Sequence, residues 1–197
     1  SLRDMWEKEL ADATIPAIVV SQEYMGVDRE DSPAVADEYG DADIILIDES
    51  HNFRNNATKR YESLESLIGR NGGRGRDGFR KKIIMLTATP INNDLMDLYN
   101  QISLVTQGDR SYFAPIGIGD LRRYFFEARR QTTERQSRIA LFNLLEEFVI
   151  RRTRQFIKTA YPDATIKGER IRFPDRKLQT IRYDLETTYR GIYQDIV

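Results

Sequence analysis

The sequence predicts an α/β domain with a mostly parallel sheet, and three observations carry that prediction. The runs "DIILID" (43–48) and "KKIIMLTATP" (81–90) hold apolar stretches with no polar face, as strands covered on both sides require. Segments with three-to-four-residue apolar spacing lie between and after them, which is the alternation of strand and helix that builds parallel sheets. At 197 residues, 40% hydrophobic and 31% charged, the chain is long and apolar enough to bury a core.

Each element follows in order. "SLRDMWEKEL" places Leu2, Met5, Trp6 and Leu10 on one side of a short amphipathic helix, and Trp6 reads as a core residue. "IPAIVV" (15–20) reads as a buried strand. Residues 26–43 read as a loop or short helix, 43–48 as the next strand, and 57–69 as a polar helix. The glycine-rich "GRNGGRGRDG" reads as a flexible surface loop, best explained as a disordered insertion. After the strand stopped by Pro90 comes a helix with Leu95, Leu98, Ile102 and Val105, which Asn92 and Asn93 are expected to cap. Residues 119–150 mix apolar and arginine positions at helical spacing and suggest an outlying helical lobe. "ATIKGERIRFPDRKLQTIRYDLE" returns to strand-like alternation, and 186–197 reads as a final helix.

Composition narrows the function classes. With no cysteine and one histidine, disulfides and thiolate metal sites are excluded, so any metal is a hard ion held by carboxylates, phosphates and water. No apolar run approaches the roughly 18 residues that cross a bilayer, and no signal-peptide pattern opens the chain, so no membrane partner is expected and the reading is cytoplasmic. Lys+Arg (30) and Asp+Glu (31) nearly cancel, leaving no global pull toward nucleic acid. Arginines concentrate in 122–154, however. Arg151, Arg152 and Arg154 read either as a DNA-facing cluster or as a helix end pairing with Glu146 and Glu147.

The densest chemistry is "IILIDESH" (44–51), where an apolar strand runs into Asp48, Glu49, Ser50 and His51. At the carboxyl end of a parallel strand, ligands meet side chains leaving the sheet. An Asp there can hold Mg²⁺, and the adjacent acid can orient a nucleophilic water at a terminal phosphate, which is the Walker B arrangement. The same string also reads as a strand end with solvated carboxylates. About forty residues on, a second strand ends in "TATP": Thr87, Ala88, Thr89 and Pro90 form a polar turn beside the acids, in which Thr89 can also help cap the next helix.

Taken together and in order, "ADIILIDESHNFRN", "KKIIMLTATPINNDLMDLYNQISLV", "FVIRRTRQFIK" and "FPDRKLQTIRYDLETTYRGIYQDIV" resemble the SNF2 (Swi2/Snf2-related) branch of superfamily 2 helicases. "DESH" is similar to motif II, with Ser50 as a small-residue variant, and "LTATP" to motif III. "SLRDMWEKEL" resembles the Trp/Glu segment after motif Ia, and "IVVSQEYM" the motif Ib region. The resemblance implies a RecA-like lobe of P-loop NTPase type with a helical protrusion. The expected division is 1–107 for a partial first lobe, 108–155 for the protrusion, and 156–197 for a return strand and the start of a linker toward a second lobe.

The resemblance also implies roles and partners. Asp48 would coordinate the Mg²⁺ of ATP, Glu49 would activate the attacking water, and His51 would link motif II to motif III or the opposing lobe. Thr87, Ala88, Thr89 and Pro90 would couple the nucleotide state to lobe movement. Ser21 and Gln22 would lie where the family contacts double-stranded DNA without reading its sequence, and Arg151 and Arg152 join them as DNA-binding candidates on the reading of the arginine cluster given above. The parent would be a DNA-dependent ATPase and translocase, cytoplasmic and nucleoid-associated if prokaryotic, with room for other subunits of a DNA-processing complex.

One departure stands out: no "GKT" or "GKS" occurs, and the glycine-rich tract lies after motif II with no strand leading into it. The chain therefore reads as an incomplete lobe, inactive alone, from a longer enzyme. The competing expectation is a degenerate helicase-like lobe kept as a protein-interaction module. Intact Asp48, Glu49, Thr87 and Thr89 argue against it.

Overall fold

The computed structural model describes residues 2–27, 34–88, 94–130, 144–146, 149–166, 168–174 and 177–180. The chain divides into two compact units, Ser1–Leu144 and Leu145–Val197. Among the described residues, no helix is long and apolar enough to cross a membrane.

The first unit is built on a parallel pair, β1 (Ile44–Ile47) and β2 (Lys82–Met85), in the register Ile44–Lys82 to Ile47–Met85. Before the pair come α1 (Leu2–Asp12), α2 (Gln22–Met25) and α3 (Val35–Tyr39). Between its strands runs α4 (Lys59–Gly73), and after it α5 (Leu95–Val105) and α6 (Leu121–Arg130). The order β1–α4–β2 with parallel pairing is the α/β unit that the sequence predicts, and it is compatible with part of a RecA-like lobe.

The core lies on one face of the pair. Ile45 and Ile47 pack with Val35, Ala36, Phe53, Tyr61, Leu64, Leu67, Ile68 and Leu104. Burying side chains such as Phe53, Leu64 and Ile68 stabilises the unit by about 1.5–3 kcal/mol each. The opposite face differs from expectation: Ile44, Leu46, Ile84 and Leu86 are exposed, so the uninterrupted apolar runs are covered on one side only among the described residues.

"IPAIVV" also departs from its strand prediction, and the cause is local. Thr14 takes a left-handed φ of 56°; its N–H bonds to Ala11 O, and the Ile15 N–H folds back onto Leu10 O at 2.9 Å. This is a Schellman ending, which commits the first amide of the run to closing α1. Pro16 has no N–H to offer a ladder. Ile15 and Ile18 are exposed.

Local chemistry explains the helix boundaries. Thr58 caps α4 by accepting from the Tyr61 N–H at 3.3 Å. Asp94, rather than Asn92, Asn93 or Thr89, caps α5, its Oδ1 accepting from the Met96 N–H at 3.1 Å. Those three residues lie outside the described set. On the inner side of α5, Leu98, Ile102 and Leu104 are buried, and Tyr99 meets Phe125 of α6 with ring centroids 5.8 Å apart.

The glycine-rich tract is tied down rather than a free insertion. The α4 path leaves helical geometry at Arg70, Asn71 and Gly72, and the Arg74–Arg80 bridge closes the excursion. Lys81, 3% exposed, donates its ammonium to Leu67 O (2.8 Å), Arg70 O (2.9 Å) and Ile68 O (3.3 Å), satisfying carbonyls that the ended helix leaves open. Burial lowers the Lys81 pKa.

In the second unit, Thr153 caps α7 (Arg154–Ala160) by accepting from the Phe156 N–H at 3.0 Å. A short hairpin follows, β3 (Thr165–Ile166) against β4 (Glu169–Arg170), with Gly168 supplying φ 83° at the turn. Leu178, expected in a longer strand, is exposed and outside any described strand. The final helix expected at 186–197 lies outside the described residues, as does most of the arginine-rich stretch after α6.

Candidate functional site

The parallel register brings the two strand ends together. Beyond the ladder, the Leu86 N–H donates to Ile47 O at 2.8 Å, and the Ser50 N–H donates to Leu86 O at 2.9 Å. The acid turn after β1 is thus stitched to the segment that leads into Thr87 and Ala88. Thr87 is half-buried and Ala88 exposed, while Thr89 and Pro90 lie outside the described residues.

Asp48, half-buried, is held from several sides. Its Oδ1 accepts from the Glu49 N–H and its Oδ2 from the Trp6 indole N–H, both at 2.9 Å. Its carbonyl accepts from Gln22 Nε2 at 2.5 Å, and Gln22 Oε1 accepts in turn from Asn52 Nδ2 at 2.9 Å. Glu49 follows with φ 47° and ψ 47°, a left-handed conformation uncommon outside glycine, Asn and Asp. That bend leaves the Glu49 side chain exposed at the sheet edge and starts the 3₁₀ turn Ser50–Phe53.

Ser50 is fully buried, and its hydroxyl donates to Gln101 Oε1 on α5 at 3.3 Å. The Gln101 amide donates to Asp97 O at 3.3 Å. A small residue is needed there for space and a hydroxyl for the bond. His51 Nδ1 approaches Glu49 Oε2 at 3.1 Å, an ion contact without hydrogen-bond alignment; the covered Nδ1 has no hydrogen-bond partner among the described residues.

The remaining predicted residues fall in both units. Ser21 caps α2, accepting from the Tyr24 N–H at 3.3 Å, and is exposed. Gln22 is engaged by the acid turn. Arg151 and Arg152, in the second unit, are exposed; the Arg152 guanidinium sits 5.1 Å from the Phe156 ring centroid. Glu147 lies outside the described residues, and no ion pair joins these arginines to Glu146 among those described.

Sequence reasoning missed Gln101 and Asn52 and assigned Trp6 to the core, where it is in fact half-buried with its N–H on Asp48. No local pattern marks Gln101, which lies mid-helix and 51 residues from its partner. The polar tip of the indole, which usually finds a partner when covered, was the available clue for Trp6.

Residues 8–196 match the SNF2-related domain. The chain belongs to the SNF2-related domain family. Curated relatives agree at low identity. The Uncharacterized ATP-dependent helicase YqhH of Bacillus subtilis (strain 168) is 22% identical over 154 residues, covering 78% of this chain and 22% of that protein. The DNA repair and recombination protein RDH54 of Saccharomyces cerevisiae (strain JAY291) is 27% identical over 133 residues, 62% of this chain and 13% of that protein. RAD54 of Oryza sativa subsp. japonica, also a DNA repair and recombination protein, is 26% identical over 137 residues, 65% and 13% respectively. The SNF2-related chain therefore spans about a fifth or less of the length of these relatives. No solved structure matches it.

The donor set fits a hard cation shared with phosphate. No group of three or more His, Cys, Asp or Glu that could hold a metal alone occurs among the described residues. A single held carboxylate beside an exposed one suits Mg²⁺, which takes one or two carboxylates and fills its other positions with water and phosphate oxygens.

Proposed function

We propose that this SNF2-related chain supplies the acid and coupling half of an ATP-hydrolysing site in a double-stranded-DNA translocase, with the phosphate-binding loop and second lobe contributed by the rest of a longer protein. The observation that carries the reading is the acid turn itself: Asp48 fixed at a parallel strand end, Glu49 bent outward next to it, and the flanking Ile47 carbonyl and Ser50 N–H both bonded to Leu86 at the end of the neighbouring strand.

Asp48 would hold Mg²⁺, which when bound would supply charge stabilisation at a phosphate. Glu49, exposed and one residue on, would accept the proton of the attacking water. His51 would transmit the state of Glu49, whose carboxylate it touches. Thr87, Ala88, Thr89 and Pro90 would carry that state to the lobe interface, and Ser50–Gln101 ties the acid turn to the helix that follows them. Ser21, Arg151 and Arg152 would meet DNA phosphates, with Gln22 orienting that segment through the Asp48 carbonyl. The lobe would comprise 1–107, the protrusion 108–155 and the start of the linker 156–197. Lacking a Gly-Lys-Thr/Ser loop in its sequence, the chain alone would not turn over ATP.

The test is ATP hydrolysis by the full-length protein, with and without double-stranded DNA, beside Glu49→Gln. DNA-stimulated turnover that the variant loses supports the motor. Absence of turnover in the folded wild type replaces it with an interaction module.

A further inference from the structure

We propose that Trp6 is a positioning residue that sets the Asp48 carboxylate for its cation, an inference that rests on the nucleotide-site reading above. The residue is the chain's only tryptophan, on a helix that buries none of its residues fully. A tryptophan serving only to fill the core would sit deeper. Trp6 is instead half-buried, and its indole N–H reaches across 42 residues to Asp48 Oδ2 at 2.9 Å.

The geometry fixes the carboxylate plane. Oδ1 takes the Glu49 N–H and Oδ2 takes the indole N–H, so neither oxygen can rotate away without breaking a bond. Each oxygen keeps lone-pair capacity for a further ligand. The donor's chemistry matters as much as its place. A lysine or arginine there would neutralise the carboxylate and repel a divalent ion, whereas an indole N–H orients the oxygen and leaves its charge available. The backbone side of the same residue is held the same way: Gln22, itself held by Asn52, grips the Asp48 carbonyl with a neutral amide. Asp48 is thus braced by neutral donors on both its side chain and its main chain, a pattern suited to presenting an anion rather than consuming it.

The experiment uses the full-length protein and Mn²⁺ as a spectroscopic stand-in for Mg²⁺, with free Mn²⁺ followed by electron paramagnetic resonance in the presence of ADP. Trp6→Phe keeps the aromatic packing and removes the N–H; it is expected to weaken Mn²⁺·ADP binding about tenfold, as loss of an outer-shell partner does. ADP affinity without metal is expected to stay unchanged. Leu10→Ala, at the other half-buried position of α1, controls for loosening of the helix and is expected to leave Mn²⁺ affinity unaltered. In an Asp48→Asn background the Trp6→Phe effect is expected to vanish. Equal Mn²⁺ affinity in wild type and Trp6→Phe overturns the inference while leaving the nucleotide site standing, and so does a Trp6→Phe effect that persists in Asp48→Asn or is matched by Leu10→Ala. A wild type that binds no Mn²⁺·ADP overturns the nucleotide-site reading, and this inference with it.

Discussion

The acid turn after β1 and the glycine-rich tract ending α4 both need left-handed backbone, but they obtain it from different residues. In the tract, φ values of 64°, 74° and 78° fall on Gly72, Gly73 and Gly78, and Asn71 takes 56°. Those residues reach that region at little cost. In the acid turn the same conformation, φ 47°, falls on Glu49, where an L side chain costs on the order of 1–3 kcal/mol. The tract spends its special residues on fold geometry, closing α4 and seating Lys81. The acid turn holds a carboxylate where glycine would be easier, as the role proposed for Glu49 requires.

The sharpest way to break that contrast is Glu49→Gln in the full-length protein, which keeps shape and backbone. Turnover is expected to fall by about 10³-fold, within the range for loss of a positioned general base, with an unchanged thermal midpoint. Retained hydrolysis would make the strain at Glu49 unexplained. On the tract side, Lys81→Met removes the donor shared by three carbonyls and should cost about 2 kcal/mol of stability, measured as a lower denaturant midpoint. A neutral outcome there would return the tract to a dispensable loop.

A smaller effect is expected at Tyr61, on the helix that leads into the tract. Its hydroxyl donates to Asn100 O at 3.1 Å, and Tyr61→Phe should cost about 1 kcal/mol. Burial, with a contribution from the nearby Glu65, pushes the Tyr61 pKa up to about 12 from 10.0. Below pH 10 the phenol is neutral in both folded and unfolded chains. Between pH 10 and 12 the unfolded chain loses the proton that the native state keeps, so wild-type stability should decline across that window. Tyr61→Phe should flatten this part of the decline, as read from urea unfolding at each pH.

The mildest test exchanges the two regions' solutions. Glu49→Gly relieves the strain and should stabilise the fold by up to about 1 kcal/mol while abolishing turnover. Gly78→Ala, where φ is 78° and no atom would meet the new Cβ, should lose about 1 kcal/mol through backbone strain alone. If both changes moved stability in the same direction, the contrast between the regions would fail.

Much of this layout was legible beforehand because it rests on short-range rules. The apolar runs at 44–47 and 82–85 became parallel strands, and the period of 95–105 became a helix with Leu98, Ile102 and Leu104 inside. "DESH" and "TATP" pointed to a family that the match over 8–196 bears out. The failures have equally specific causes. "IPAIVV" has the composition of a strand, but its first amide closes α1 and its second residue has no amide to give. The glycine-rich tract read as disordered because sequence pattern cannot show that Lys81 would find three open carbonyls at one helix end.

By itself, then, the sequence determined the family and the strands and helices around the parallel pair, since periodicity and motif order act over a few neighbouring positions. Only the tertiary structure decided what holds the chemistry in place. Trp6 on Asp48, Gln22 on the Asp48 carbonyl and Ser50 on Gln101 join positions 42, 26 and 51 residues apart. Hydrogen bonds depend on distances of about 3 Å and on direction. Those are fixed only after β1 and β2 have paired and the helices have packed against them.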